Sequence, residues 1–335
     1  MLLKKTKTLC PICLSVLEAE VVEVGGEVWL MRTCPDHGDF RNLYWSDAEL
    51  YRRFDEYEAK GSGISEPQRI APISGCPSYC GLCNNHLSST LLANIDVTNR
   101  CNLSCHFCFA NAKACGYIYE PSFDQIADML KLLRAERPVP APAVQFSGGE
   151  PTMRDDIEDI IRMAKQLGFS QVQIASNGIK LASDPGYIRQ LKEAGLSTVY
   201  LHFDGVTKAT DPYVKKHMQA VERCGKERLG VVLVPTVIRG KNDHEIGAII
   251  KYAADHIGVV RGVNFQPVAF TGAAREDDVT KERITIPDLL DRIEHQTDGI
   301  IRKDDFYPVP CVVPISDLVE AYTGKEQIRF TAHQH

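Results

Sequence analysis

No stretch of this 335-residue chain is long and apolar enough to span a bilayer. The longest apolar run, from about Leu229 to Ile238, is interrupted by Pro235 and falls short of the roughly 20 residues a membrane helix requires. A secretory leader is not expected, because Met1 to Cys10 brings three lysines but no apolar segment. Long basic runs are missing too. The 38 lysines and arginines are interleaved with 44 acidic residues, for a net charge of −6, which gives nucleic-acid binding little support. These absences point to a cytoplasmic protein with no nucleic-acid partner. With 44% apolar residues the chain can bury a sizeable core, in one large or two to three smaller domains.

Cysteine, by contrast, is plentiful. Of 12, nine fall into three tight groups: Cys10, Cys13 and Cys34; Cys76, Cys80 and Cys83; Cys101, Cys105 and Cys108. A disulfide framework has no need of such close sets, and in a reducing compartment they indicate metal ligands. Cys115, Cys224 and Cys311 are scattered. Cys115 and Cys224 read as non-ligands, Cys224 as a packed or surface thiol on a helix.

Residues 1–45 are expected to form a small metal-stapled module of rubredoxin or zinc-ribbon type. Two knuckles, Cys10-Pro-Ile-Cys13 and Cys34-Pro-Asp-His37, flank a hairpin that turns at Gly25-Gly26. Residues 46–90 comprise a charged, helix-prone connector and a Gly/Pro-rich loop with the second cysteine group. From residue 91 to about 300 a strand–helix pattern repeats. Strands are expected at 91–98, 143–147, 171–176, 198–203, 230–237 and 262–268. Amphipathic helices are expected near 122–136, 156–167, 185–194, 212–224, 244–257 and 286–296. Six βα units in series imply an α/β fold with a parallel sheet and right-handed crossovers. That is short of a closed eight-fold barrel, so an open (βα)6 partial TIM barrel with cluster-binding extensions is expected. Its site should lie at the C-terminal strand ends. Residues 301–335 read as a C-terminal extension, and the chain as a fragment of a longer protein.

The loop after the first barrel strand carries Cys101, Cys105 and Cys108 in a Cys-x3-Cys-x2-Cys pattern. Iron–sulfur cubanes usually take four cysteines. Three thiolates hold three irons and leave the fourth open to chemistry. A structural zinc loop is the competing reading. One strand later comes Gly148-Gly149-Glu150. Paired glycines permit close approach of a ligand to the backbone, and Glu150 can accept from a cationic amine.

This loop resembles that of the radical S-adenosylmethionine (SAM) superfamily. The resemblance implies that Cys101, Cys105 and Cys108 ligate a 4Fe-4S cluster whose open iron binds SAM. One-electron cleavage of SAM would then yield a 5'-deoxyadenosyl radical. It further implies that Gly148, Gly149 and Glu150 bind the SAM ammonium. Ser176, Asn177, Asp204, Arg239 and Gln266, at later strand ends, would contact its ribose, carboxylate and adenine; ordinary turn chemistry is the alternative at each. His202, His217, Tyr117 and Tyr119 read by default as packed or surface residues. Cys76, Cys80 and Cys83 repeat the spacing and suggest an auxiliary 4Fe-4S cluster, with Cys311 or His86 as fourth ligand, or else a zinc knuckle. Cys10, Cys13, Cys34 and His37 fit one tetrahedral zinc or iron ion.

The runs Gly75 to His86 and Leu92 to Leu103, with all three cysteine groups in this order, look like the tetraether lipid synthase family, whose members were also described as pterin C-methyltransferases. That likeness implies hydrogen abstraction from an unactivated carbon and C–C bond formation. The expected reaction joins isoprenoid lipid chains, with access to a membrane surface. The alternatives are radical C-methylation of a methanopterin-type precursor or a non-catalytic electron-transfer protein. A lipid demands an apolar tunnel above the strand ends; a pterin demands a polar pocket. A reducing ferredoxin or flavodoxin is the expected electron donor.

Overall fold

The computed structural model describes residues 1–59, 61, 63–64, 87–112, 114, 116–271 and 279–327. The strands are β1 (Leu2–Leu9), β2 (Val16–Val24), β3 (Glu27–Cys34), β4 (Gly38–Trp45), β5 (Leu92–Thr98), β6 (Ala143–Gly148), β7 (Gln171–Ser176), β8 (Thr198–His202), β9 (Gly230–Val234), β10 (Thr236–Val237), β11 (Val260–Val263) and β12 (Gln266–Pro267). The helices are α1 (Ala48–Asp55), α2 (Phe123–Arg134), α3 (Ile157–Gln166), α4 (Ile179–Ser183), α5 (Tyr187–Ala194), α6 (Val214–Lys226), α7 (Ile246–Asp255), α8 (Val279–Glu282), α9 (Ile286–Gln296) and α10 (Val313–Thr323). None among the described residues is long and apolar enough to cross a membrane. Two compact units result. Among the described residues, one comprises Met1–Glu58 and Ile284–Cys311; the other comprises residues from Ala59 to Arg283 and from Val312 to Gln327.

The first unit is built on an antiparallel meander in the order β1-β2-β3-β4. Gly25 and Gly26 both take positive φ, as a two-residue hairpin turn requires. The hairpin expected from sequence is therefore flanked by two further strands. Their pattern is masked by charge: β1 is a lysine-rich strand exposed or half-exposed along its whole length, and half-wet strands carry a weak apolar signal. Trp45 packs edge-on against Tyr51 and Phe54 of α1, with ring centroids 5.5 and 5.6 Å apart. The side chains of Thr285 and Asp288 cap the start of α9 reciprocally.

The second unit is the expected open barrel, except that α9, expected as its sixth helix, falls within the first unit. Its six-stranded parallel sheet runs β11-β9-β8-β7-β6-β5. Alternate residues on one face are buried under the helices: Ile95 and Val97, Val144 and Phe146, Val172 and Ile174, Val199 and Leu201, Val231 and Leu233. The opposite, concave face carries Asn94 and Asp96, Gln145 and Ser147, Gln171 and Gln173, then Thr198, Tyr200 and His202. Small barrels are ordinarily filled by branched apolar side chains; here the concave face of β5 to β8 is polar.

Candidate active site and metal centre

The cluster loop leaves β5 at Thr98 and is closed at its base by Asn99. The Asn99 amide donates to the Tyr117 carbonyl at 2.8 Å, and its oxygen accepts the Tyr119 N–H at 2.8 Å. Tyr117 and Tyr119 are themselves exposed. Cys101, Cys105 and Cys108 are all free thiols on this loop, Cys105 the most open of them. Even so, the Cys105 thiol is pushed up to about 11, first by desolvation and then by Cys101, Cys108, Asp204 and Asp211. Three thiols on one loop, with a negative electrostatic contribution from Asp204 and Asp211, make a site that favours bound positive charge.

The Gly-Gly-Glu segment lies against this loop. Gly148 has φ +121°, and a Cβ there would sit 2.1 Å from the Thr98 carbonyl oxygen. At Gly149 a Cβ would sit 2.2 Å from that of Arg100. The amides of Gly149 and Glu150 donate to those same two carbonyls, each at 2.7 Å. The β5 exit itself therefore makes a close approach that demands glycine at both positions, a constraint not read from the sequence. Glu150 is buried, and its carboxylate accepts from the Thr152 N–H and hydroxyl, the Ser176 hydroxyl and the Asn177 N–H. Burial raises its pKa, against these bonds. Glu150 thus joins the exits of β6 and β7, and Asn177 continues the tie by donating to Asn102 of the cluster loop at 2.7 Å.

Asp204, beyond β8, is also engaged on both oxygens, by the Thr236 N–H at 2.8 Å and by His202 Nε2 at 2.9 Å. Burial alone would depress the His202 pKa, but the charge and hydrogen bond of Asp204, with Asp211, carry it above its usual value. His217 is completely buried, its Nδ1 2.6 Å from Asp211. Arg239 Nε donates to the Arg283 carbonyl at 2.7 Å. Gln266 pairs in register with Thr236 at the exposed β10–β12 bridge. The structure thus bonds Gly149, Glu150, Ser176 and Asn177 to one another's strand exits and, through Thr98, Arg100 and Asn102, to the loop that carries Cys101, Cys105 and Cys108.

Three features escaped the sequence reading. Asn242 ties the Asp204 and Thr236 carbonyls together. Glu245 gathers Val206, Thr207 and Thr210, which hold its carboxyl below the usual range although burial pulls the other way. A row of side-chain amides crosses the concave face. Gln171 donates to Thr198 at 2.9 Å and to Gln173 at 3.4 Å, Gln173 to Gln145 at 2.8 Å, and Gln145 to Asn94 at 2.8 Å. Alternating polar residues within otherwise apolar parallel strands were the signal for that row.

The second candidate centre lies in the first unit. The ligand atoms of Cys10, Cys13, Cys34 and His37 lie within 4.8 Å of one another, the one such group among the described residues. His37 Nδ1 is 3.7 Å from Cys10 Sγ and 3.4 Å from Cys34 Sγ. Burial pushes the Cys10 thiol up. At Cys34 burial is outweighed by the N–H groups of Asp36 and His37 and by the neighbouring thiols, so its pKa falls. Backbone donors aimed at a sulfur suit a metal-bound thiolate, and the set fits one tetrahedral ion. Cys224 is buried within α6, its pKa raised to about 12 by burial, as a packed thiol should be. Cys311 is half-buried in a short 3-10 turn, its N–H donating to the Pro308 carbonyl. Cys76, Cys80, Cys83, His86 and Cys115 lie outside the described residues.

Residues 95–253 match the radical SAM superfamily. The chain belongs to that superfamily. Its members use a 4Fe-4S cluster and SAM, and the Cys101, Cys105 and Cys108 loop has the thiols to hold them. Superfamily membership also sets aside the purely electron-transferring alternative. Residues 2–46 match the HMPTM N-terminal zinc ribbon domain. The chain is 51% identical to 7,8-dihydro-6-hydroxymethylpterin dimethyltransferase of Methanocaldococcus jannaschii over 99% of its own length, and spans 66% of that relative. It is 32% identical to GTP 3',8-cyclase of Clostridium acetobutylicum over 58% of its length and 61% of the relative's. Among solved structures, methylornithine synthase aligns with 63% of this chain and 64% of its own, at a TM-score of 0.41 and 13% identity.

The first of these relatives overturns the expectation that the chain joins isoprenoid lipids. This relative, matched over 99% of the chain, is named for a pterin, and the concave face of β5 to β8 carries chiefly polar side chains where a lipid chain would need apolar ones. Membrane-surface access, which followed from the lipid, has no support either.

Proposed function

We propose that this chain is the radical SAM part of an enzyme that methylates carbon atoms of a pterin. The observation that carries the reading is the hydrogen-bonded amide row on the concave face, at the C-terminal half of which the cluster loop opens. A pterin ring presents donors and acceptors around its edge, and a face of ordered amides satisfies such a ligand where apolar side chains would leave its polar groups unpaired. Full-length similarity to a pterin dimethyltransferase supports the same substrate class.

When bound, the cluster and SAM supply the 5'-deoxyadenosyl radical. Cys101, Cys105 and Cys108 would hold the cluster. Gly148 and Gly149 keep the β6 exit against that loop, and Glu150 fixes Ser176 and Asn177, which in this reading would meet SAM. Asp204 and Arg239 frame the far side. A low-potential ferredoxin or flavodoxin would deliver the electron. The concave face then has to orient the pterin and exclude water from the reacting carbon.

The test is anaerobic reconstitution with iron, sulfide, SAM and reductant, followed by addition of 6-hydroxymethyl-7,8-dihydropterin. The pterin should stimulate 5'-deoxyadenosine release and, with a separate one-carbon donor supplied (a second SAM, leaving as S-adenosylhomocysteine, or a methylene-carrying pterin), gain methyl groups by mass, and Cys105→Ala should abolish both. A well-loaded protein that releases 5'-deoxyadenosine in response to isoprenoid lipid and not to the pterin would overturn the reading.

A further inference from the structure

Three carboxylates stand at the strand ends of β5, β6 and β8, and two of them are fully occupied. Glu150 is buried under four donors. Asp204 accepts from Thr236 and pairs with His202. The third is Asp96. It is exposed on the concave face and accepts one bond, at 2.7 Å from the Ser147 hydroxyl to Oδ1. No described residue donates to Oδ2.

Its position is favourable for a substrate. Asp96 stands opposite Ser147 in the β5–β6 register. It lies two residues before the strand end, roughly 7 Å below the start of the cluster loop at 3.3 Å per residue. Beside it are Asn94 and Gln145, neutral amides already bonded to each other. A lone carboxylate in such a setting loses water when a flat ligand covers it, and must recover donors from that ligand. Two parallel acceptors match two parallel donors. The 2-amino-4-oxopyrimidine ring of a pterin offers such a pair along one edge, its ring N3–H and its exocyclic amine.

We propose that Asp96 reads this edge of the substrate, with Ser147 fixing the carboxylate plane; the inference rests on the pterin reading of the same site. Each carboxylate oxygen has two acceptor sites, so Oδ1 can keep Ser147 while receiving the ligand. Asp96 is accordingly a specificity-determining residue. It discriminates an aminopyrimidinone from its dioxo analogue, whose second carbonyl would face the carboxylate.

Equilibrium dialysis on the cluster-loaded chain, without turnover, tests this. The two probes are 6-hydroxymethyl-7,8-dihydropterin and the corresponding lumazine, in which an oxo group replaces the amine. The wild type should prefer the pterin by about 10-fold or more, since hydrogen bonds to a charged group are the strong ones. Asp96→Asn should weaken pterin binding by about 10- to 100-fold and bring the two probes to within about 2-fold of each other. Ser147→Ala, which keeps the carboxylate but frees its rotamer, should fall between. SAM affinity and iron content should not change. If Asp96→Asn and Ser147→Ala bind the pterin as the wild type does, the inference is overturned and the pterin reading stands. If Asp96→Asn lowers SAM affinity instead, Asp96 belongs to the cofactor and the inference is again overturned. A wild type that binds neither probe would sink the pterin reading itself.

Discussion

The Glu150 carboxylate accepts the Asn177 N–H at 2.7 Å across the exits of two neighbouring strands, in the buried floor of the site. This single bond, with those from Ser176 and Thr152, makes Glu150 a positioning residue for the β7 turn.

Glu150→Ala should therefore act on the fold. Four side-chain and backbone donors, from Thr152, Ser176 and Asn177, would be left without their acceptor, a cost of about 2–4 kcal/mol. Urea denaturation should show it, and Glu150→Gln, which retains one acceptor oxygen, should lose less. Unchanged stability with weakened SAM binding would mean that Glu150 meets the ligand directly.

Gly149→Ala should separate the β6 exit from the cluster loop. The new Cβ cannot sit 2.2 Å from the Arg100 oxygen, so the bonds to Thr98 and Arg100 must break. A stability loss of about 2–4 kcal/mol and less iron bound per chain are expected. Gly258→Ala, with open space around it, serves as the control.

The N-terminal centre should respond to its own ligands alone. Cys34→Ser or Cys10→Ser should lower the metal content by one ion per chain, leaving the cluster iron as it was, and loosen the environment of Trp45 seen by near-ultraviolet circular dichroism, because the metal is part of the folding free energy of such modules. Cys224→Ser, buried in α6, should leave the metal count as it was.

His202 should titrate above its ordinary value of 6.5 in an NMR pH series, and Asp204→Asn should bring it down. The sign of the stability effect follows. The pair's contribution is complete below about pH 6.5 and disappears as pH rises through the folded pKa. Denaturation midpoints of wild type and Asp204→Asn should therefore converge on the alkaline side. Midpoints that diverge there would contradict the pairing.

The barrel was legible because its strands and helices obey their own periods. Ile126, Ala127 and Leu130 of α2 recur at helical spacing, and all are buried. The N-terminal knuckles were legible because metal chemistry dictates spacing. The purpose of Gly148 and Gly149 was not, since their partner is the backbone of Thr98 and Arg100, fifty residues earlier in the chain. Nor was the role of Glu150, whose donors come from two strand exits. Asn242 and Glu245 looked like the start of a helix and serve instead to tether loops. Long-range pairing of polar groups leaves no periodic trace.

Gln173 and Gln145, within the concave-face row, each give a hydrogen bond to one neighbour and receive one from the other, while Gln171 gives to both Thr198 and Gln173. Turning one amide over obliges the next to turn. If this face holds the proposed pterin, substrate choice on it is a collective property, and a path to a different heterocycle has to change several of these positions in step.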